Sequence, residues 1–158
     1  MKRRLSVAAV LFFLAAALFL KACYAPPPPP PPPPEKPSRL GPWGLVWHPY
    51  DRGVTLAQQQ GKPVFIAFFT EDCRWCRAME KDTYANRTVA DYLKKNFVLV
   101  EVNTIAEKEL RKSYLVRGVP SFCFLDNKGR RTYPRLGYME PGRFLNIVRA
   151  YYKENGPK

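Results

Sequence analysis

The chain has 158 residues and a formal net charge of +13. Its first 37 or so residues lack globular character, so one core of about 120 residues is available, too few for two domains. The hydrophobic content of 46% excludes a disordered chain, and four cysteines are too few for a disulfide scaffold. The arithmetic also argues against a cytosolic enzyme and a polytopic membrane protein.

Lys2, Arg3 and Arg4 form a positive n-region ahead of an apolar run from Leu5 to Leu20. That run sits between the lengths of a signal segment and a membrane span, and its positive flank predicts export of the chain beyond it. Leu20-Lys21-Ala22-Cys23 is similar to a bacterial lipobox, which would make Cys23 a lipidated N-terminus. Lys21 departs from that pattern, so an uncleaved anchor stays open; either form tethers the domain to a membrane. Residues 1–25 are therefore read as a signal or lipoprotein anchor. Residues 26–40 are read as a spacer, in which the nine prolines Pro26 to Pro34 form a stiff polyproline II stalk of roughly 28 Å. Residues 41–158 are read as the folded domain. Removing Lys2, Arg3, Arg4 and Lys21 from the total leaves the remainder at +9.

Within that domain the elements alternate. Gly41 to Trp47 reads as extended, and Tyr50 to Gln60 as a short helix closed by Gly61. The continuous apolar run Pro63 to Phe69, rich in β formers, predicts a strand buried on both faces. Cys73 to Lys81 reads as the start of a helix with Ala78 and Met79 inward, and Asn86 and Arg87 break the pattern. Thr88 is read as the cap of a second helix to Lys95, with Val89, Tyr92 and Leu93 on its apolar face. Phe97 to Val102 is a strand, Glu107 to Tyr114 a helix, and Ser121 to Leu125 a strand. The turn Asn127-Lys128-Gly129 returns the chain as a partner strand, Arg131 to Leu136. Pro141 opens a last helix to Tyr152, with Phe144, Ile147, Val148 and Tyr151 as its stripe. This order predicts an α/β fold: a mixed sheet with helices on both faces.

The chemistry concentrates in Cys73-Arg74-Trp75-Cys76. Two cysteines separated by two residues, after a buried strand and at the start of a helix, suit dithiol–disulfide exchange. Free amides at a helix start favour a thiolate on Cys73, and a second thiol one turn on can attack a mixed disulfide from within the molecule. Arg74 and Arg77 add positive charge, which Glu71 and Asp72 oppose. A structural bridge is the blander alternative. A zinc site needs four ligands, and only Cys23, His48 and Cys123 remain, without a second paired spacing.

Lys62-Pro63-Val64 leading to Cys73-Arg74-Trp75-Cys76, then Arg117-Gly118-Val119-Pro120 before a strand, resembles the thioredoxin superfamily. The resemblance covers about Trp43 to Tyr152. Cys76 to Tyr84 is similar to the helix and break of the DsbD C-terminal periplasmic domain and of small thioredoxin-like lipoproteins. The resemblance implies a thioredoxin fold, with Cys73 as nucleophile and Cys76 as resolving thiol. It also implies a cis bond at Pro120, and a substrate strand pairing with Val119. It further implies a reductase of exported disulfides, including apocytochrome or other client thiols. Such a reductase would be served by an integral membrane electron donor and would need no metal or organic cofactor. An oxidase, an isomerase and a non-catalytic client-binding module are the alternatives.

Two positions depart from that family. Its buried acid, six residues before the first cysteine, is Ala67 here, and its lysine on the next strand is Glu101. Glu101 is therefore a candidate displaced proton relay, against the blander reading of a solvent-facing side chain; Glu80, four residues after Cys76, is the second candidate. Trp75 is expected to meet substrate. Cys123 is expected to be a buried inert thiol, and His48 a satisfied or solvent-facing side chain. Asn86-Arg87-Thr88 fits a glycosylation acceptor and is discounted in a bacterial-type sequence. The basic hairpin of Lys128, Arg130, Arg131 and Arg135 is read as a solvated face, with acidic partners or an anionic membrane as the alternative; nucleic acid is a poor partner for an exported chain.

Overall fold

The computed structural model describes residues 38–157. The apolar N-terminal run, Cys23 and the polyproline stretch lie outside the described residues. Among the described residues no helix is long and apolar enough to cross a membrane.

Six strands form one sheet: β1 (Arg39–Leu40), β2 (Val46–His48), β3 (Val64–Phe69), β4 (Val98–Asn103), β5 (Ser121–Leu125) and β6 (Arg135–Leu136), in the spatial order β1-β2-β4-β3-β5-β6. The inner strands β2, β4 and β3 are parallel, while β1, β5 and β6 run antiparallel to their neighbours. The helices are α1 (Tyr50–Gln60), α2 (Arg74–Ala78), α3 (Arg87–Asn96), α4 (Lys108–Ser113) and α5 (Pro141–Asn155). A π-helical turn, Met79–Tyr84, follows α2 directly.

The central strand β3 is buried on both faces, as its unbroken apolar run requires. Phe65 and Ala67 point to one side, into a core with Trp47, Leu99, Phe122 and the inner faces of α3 and α5. Val64, Ile66 and Phe68 point to the other, with Val98, Val100, Cys123 and residues of α1 and α4. Gly53 lets α1 lie close to β4, because a Cβ there would meet Val100 Cγ2 at 2.2 Å. Gly61 closes α1 at φ 62, the left-handed geometry that favours glycine.

Several boundaries differ from the sequence reading. Gly41 to Trp47 is not extended throughout, since Pro42–Gly44 forms a 3₁₀ turn. Arg39 and Leu40, read as the end of the spacer, pair with Trp47 and Val46 and join the sheet. The cap of α3 is Asn86, whose side-chain oxygen accepts from the N–H groups of Thr88 and Val89, so the helix starts one residue before Thr88. The return strand is shorter than Arg131 to Leu136: only Arg135–Leu136 pairs as a strand, plus a bridge from Arg131 to Leu125. Pro134 precedes the paired residues and supplies no ladder N–H. The last helix runs three residues beyond Tyr152, to Asn155.

Candidate active site

β3 delivers the chain to the end of the sheet, and Thr70 to Asp72 turn it into α2. Cys73 is the N-cap of α2, with its N–H donating to Thr70 O at 3.2 Å. Cys73 and Cys76 are joined as a disulfide, with an S–S distance of 2.11 Å and a Cα–Cα distance of 5.2 Å. The Cys76 N–H donates to Cys73 Sγ at 3.0 Å. This places a backbone donor on the sulfur of the more N-terminal cysteine, which lowers the cost of negative charge there. Both cysteines are partly exposed, as a pair that exchanges with other proteins must be. Arg77 turns aside to donate to the Glu71 carbonyl at 2.8 Å.

The peptide bond between Val119 and Pro120 is cis. Pro120 is buried and lines the same cleft as Cys76, while Val119 beside it is half-buried. Trp75 is 58% exposed, with its ring 5.8 Å from that of Tyr138, itself partly exposed in the loop after β6. Trp75, Val119 and Pro120 are therefore placed around the disulfide end of the sheet, together with Tyr138, which sequence reasoning missed.

Behind the disulfide lies a cleft of about 380 Å³, lined by Ala67, Cys76, Pro120, Glu80, Glu101 and Arg39 among others. Ala67 on β3 is the register partner of Glu101 on β4. Glu101 does not stand in solvent: its side chain is 19% exposed and is gripped by Arg39. Arg39 Nε donates to Glu101 Oε2 at 2.9 Å and Oε1 at 3.2 Å, and its Nη2 lies 2.8 Å from Oε2. Arg39 Nη1 donates to Glu80 Oε1 at 2.5 Å. The two candidate carboxylates, from the π turn and from β4, thus converge on one guanidinium. Burial works against the charge of Arg39, but its hydrogen bonds and charge contacts, first with Glu101 and then with Glu80, outweigh it and hold its pKa above the ordinary value. Tyr84, buried in the same wall, is pushed well above the usual phenol range by burial first and the Glu80 charge second.

The remaining sequence candidates lie apart from this cleft. Cys123 is a free, buried thiol on β5, pushed up to about 12 by burial, which the charge of Arg131 only partly offsets. His48 Nδ1 is 2.8 Å from Ser38 Oγ, and burial, then the Arg52 charge, lowers its pKa. In the basic hairpin Arg130 pairs with Asp126 at 2.7 Å, and Arg131 lies 4.9 Å from the Tyr114 ring centre. Arg39 carries no sequence signal: it follows a proline-rich stretch and sits in a two-residue strand.

Residues 50–152 match the family model described as a thioredoxin-like domain. Among characterised sequences, the thiol:disulfide interchange protein DsbD of Yersinia pestis is 34% identical over 97 residues, covering 58% of this chain and 16% of that protein. The chloroplastic thioredoxin-like protein HCF164 of Oryza sativa is 33% identical over 104 residues, covering 65% of this chain and 37% of that protein. The chain thus spans well under half the length of these relatives. Among solved structures, a thioredoxin from Thermus thermophilus superposes with a TM-score of 0.63 at 28% identity, covering 70% of this chain and 88% of that one. The oxidised C-terminal domain of Neisseria meningitidis DsbD superposes with a TM-score of 0.55 at 21% identity, over 66% and 90% of the two chains. The six-stranded mixed sheet, the Cys73–Cys76 pair at a helix start and this match across most of the described residues have one explanation: the chain belongs to the thioredoxin-like family and carries the CxxC pair of its thiol:disulfide oxidoreductases.

Proposed function

We propose that the protein is an exported, membrane-tethered thiol:disulfide oxidoreductase that reduces disulfides in client proteins. The observation that carries this reading is the partly exposed Cys73–Cys76 disulfide, with a backbone donor on Cys73 Sγ, at the cleft that Pro120 shares. In the reducing direction the Cys73 thiolate attacks a client disulfide. One bond forms between Cys73 Sγ and a client sulfur, and the other client sulfur leaves as thiolate. The Cys76 thiol gives its proton to a carboxylate of the cleft, Glu101 or Glu80, and attacks Cys73 Sγ. The second client sulfur leaves, the Cys73–Cys76 disulfide forms, and two electrons have passed to the client. An integral membrane donor then restores the dithiol. Val119 and Pro120 hold the client backbone and Trp75 covers its side chains. The N-terminal apolar run, with Cys23 as lipid acceptor or as part of an uncleaved anchor, supplies the tether outside the cytoplasm, and residues 26–40 supply the spacer.

The direction of electron flow is tested by the reduction potential of the full chain in detergent, equilibrated in glutathione or dithiothreitol buffers. The reference scale runs from roughly −270 mV for thioredoxin to roughly −120 mV for DsbA. A value near the low end supports the reductase. A value near the high end reverses the direction and favours an oxidase or isomerase. A cysteine pair that never titrates would leave only a client-binding module, and in that case Cys73→Ser would have no exchange to abolish.

A further inference from the structure

The cleft behind the disulfide contains one arrangement that the CxxC pair does not by itself require. The register β1-β2-β4 sets Arg39 beside Trp47 and Trp47 beside Leu99, with Glu101 two residues further along the same face of β4. The guanidinium of Arg39 lies 5.9 Å from the Trp47 ring centre and reaches past it into the cleft. There it meets Glu101 with two nitrogens and Glu80 with a third. A lysine could not do this, because a single ammonium has no planar fork with which to hold two carboxylates in fixed directions.

We propose that Arg39 is a positioning residue of thiol exchange: it holds Glu80 and Glu101 together as a carboxylate pair in the cleft that Cys76 lines, where β3 carries Ala67 and no acid of its own. The inference rests on the carboxylate-relay reading above. The charged and titratable groups facing the pair are Arg39 from β1, Glu71 from the loop before the cysteines, Arg77 from α2, and Tyr84 from the π turn. Arg77 is engaged by the Glu71 carbonyl, so among the described residues Arg39 is the cation that touches both acids. Without it two like charges face each other in a half-buried wall, and one of them takes up a proton at higher pH. A protonated carboxyl cannot accept the proton of Cys76, so the resolving step must slow first on the acid side.

The test isolates that step in the full chain, in detergent, with Cys23→Ser so that Cys73 and Cys76 are the reactive thiols. Reduced protein is mixed with dithiobis-nitrobenzoate in a stopped-flow instrument. Cys73 attacks and releases the first thionitrobenzoate. Cys76 then attacks Cys73 Sγ, forming the internal disulfide and releasing the second. The rate of the second phase is followed from pH 4.5 to 8. Arg39→Gln is expected to move its acid limb upward by about one pH unit, a loss of about tenfold on that limb that recovers at high pH. Arg39→Lys is expected to lie between the two, since it keeps the charge and loses the fork. In a background of Glu80→Gln with Glu101→Gln, Arg39→Gln is expected to add no shift. A role limited to clipping β1 onto the sheet would lower the melting temperature and scale the rate equally at every pH. The proposal is overturned by an unmoved limb in Arg39→Gln, or by the same shift in the background lacking both carboxylates, where Arg39 would be acting on the thiol directly. If the double carboxylate variant itself keeps the unaltered profile, the relay reading falls, and the result is separable from a failure of Arg39 alone.

Discussion

Ala67 and Glu101 are paired residues on adjacent parallel strands, and this makes Ala67→Asp a quantitative probe of the cleft. Neighbouring strands lie about 4.8 Å apart, so the new carboxylate would sit about 5 Å from that of Glu101. At an effective dielectric near 20, two like charges at that distance repel by about 3 kcal/mol. Arg39, already within hydrogen-bond distance of Glu101, attracts the new charge as well and offsets part of this. The net cost expected at pH 7 is about 1–2 kcal/mol, rising to about 3 kcal/mol when Arg39→Gln is combined with it. Ala67→Asn is the control, because it adds nearly the same volume to a site only 8% exposed without adding charge. The assay is urea unfolding of the oxidised protein, reading the Asp-minus-Asn difference across pH. The sign comes from linkage: one carboxyl of the pair has its folded pKa raised above the unfolded value. The penalty is therefore absent well below about pH 4, where both are protonated, and is complete once the pH passes the raised folded pKa. Asp and Asn variants of equal stability at pH 7, or a difference that persists at pH 3, would refute the claim that positions 67 and 101 share one electrostatic site.

Three further outcomes depend on particular side chains. Phe65 is fully buried, with its ring 5.5 Å from Phe122, 5.6 Å from Phe144 and 6.1 Å from Trp47, so Phe65→Ala should cost about 3–5 kcal/mol in denaturant unfolding. A cost below about 1 kcal/mol would mean that this core collapses around the gap. Leu115 holds φ 57 while 59% exposed, so Leu115→Gly should stabilise by about 1 kcal/mol, and a destabilised variant would show that the side chain makes contacts worth more than the backbone relief. Burial disfavours the charge of Asp126, but N–H groups of Arg130 and Lys128 and the Arg130 side chain outweigh it and hold its carboxyl below the usual value. Its contribution to stability is therefore present above the unfolded pKa of about 3.9 and lost as pH falls through the lower folded value, and Asp126→Asn should flatten that acid limb of the urea midpoint.

The inner part of the fold was legible because local pattern and tertiary burial ask for the same residues. The run Val64 to Phe69 is short, rich in β formers and preceded by Gly61 and Pro63, which favours a strand with both faces covered, and Gly61 and Pro141 mark helix boundaries by backbone chemistry alone. The edges were less legible. Arg39–Leu40 and Arg135–Leu136 are two-residue strands whose side chains are exposed, so no alternation marks them, and pairing with a neighbour is all that defines them. Thr88 is the cap that the sequence suggests, but asparagine caps as well as threonine, and the structure uses Asn86: its backbone is extended, with ψ 123, while Thr88 already lies inside α3.

The site divides along the same line. Cys73 and Cys76 are visible because their chemistry depends on a spacing within one helical turn, which a sequence displays directly. Glu101 is visible only as an irregularity, a carboxylate in a strand of apolar residues, and spacing alone leaves both a relay and a solvent-facing side chain open. The choice depends on Arg39, which is 62 residues away along the chain. Nothing in the local sequence of Arg39 distinguishes it from any cation after a proline-rich stretch. Its position is a consequence of β1 pairing with β2 and of β2 pairing with β4, two steps of sheet register that bring its guanidinium to an acid two strands away. Ala67 and Glu101 are register partners on adjacent strands, so under the proposed relay the carboxylate shifts by one strand and keeps its level in the sheet, and the short edge strand where the described fold begins supplies the cation that holds it.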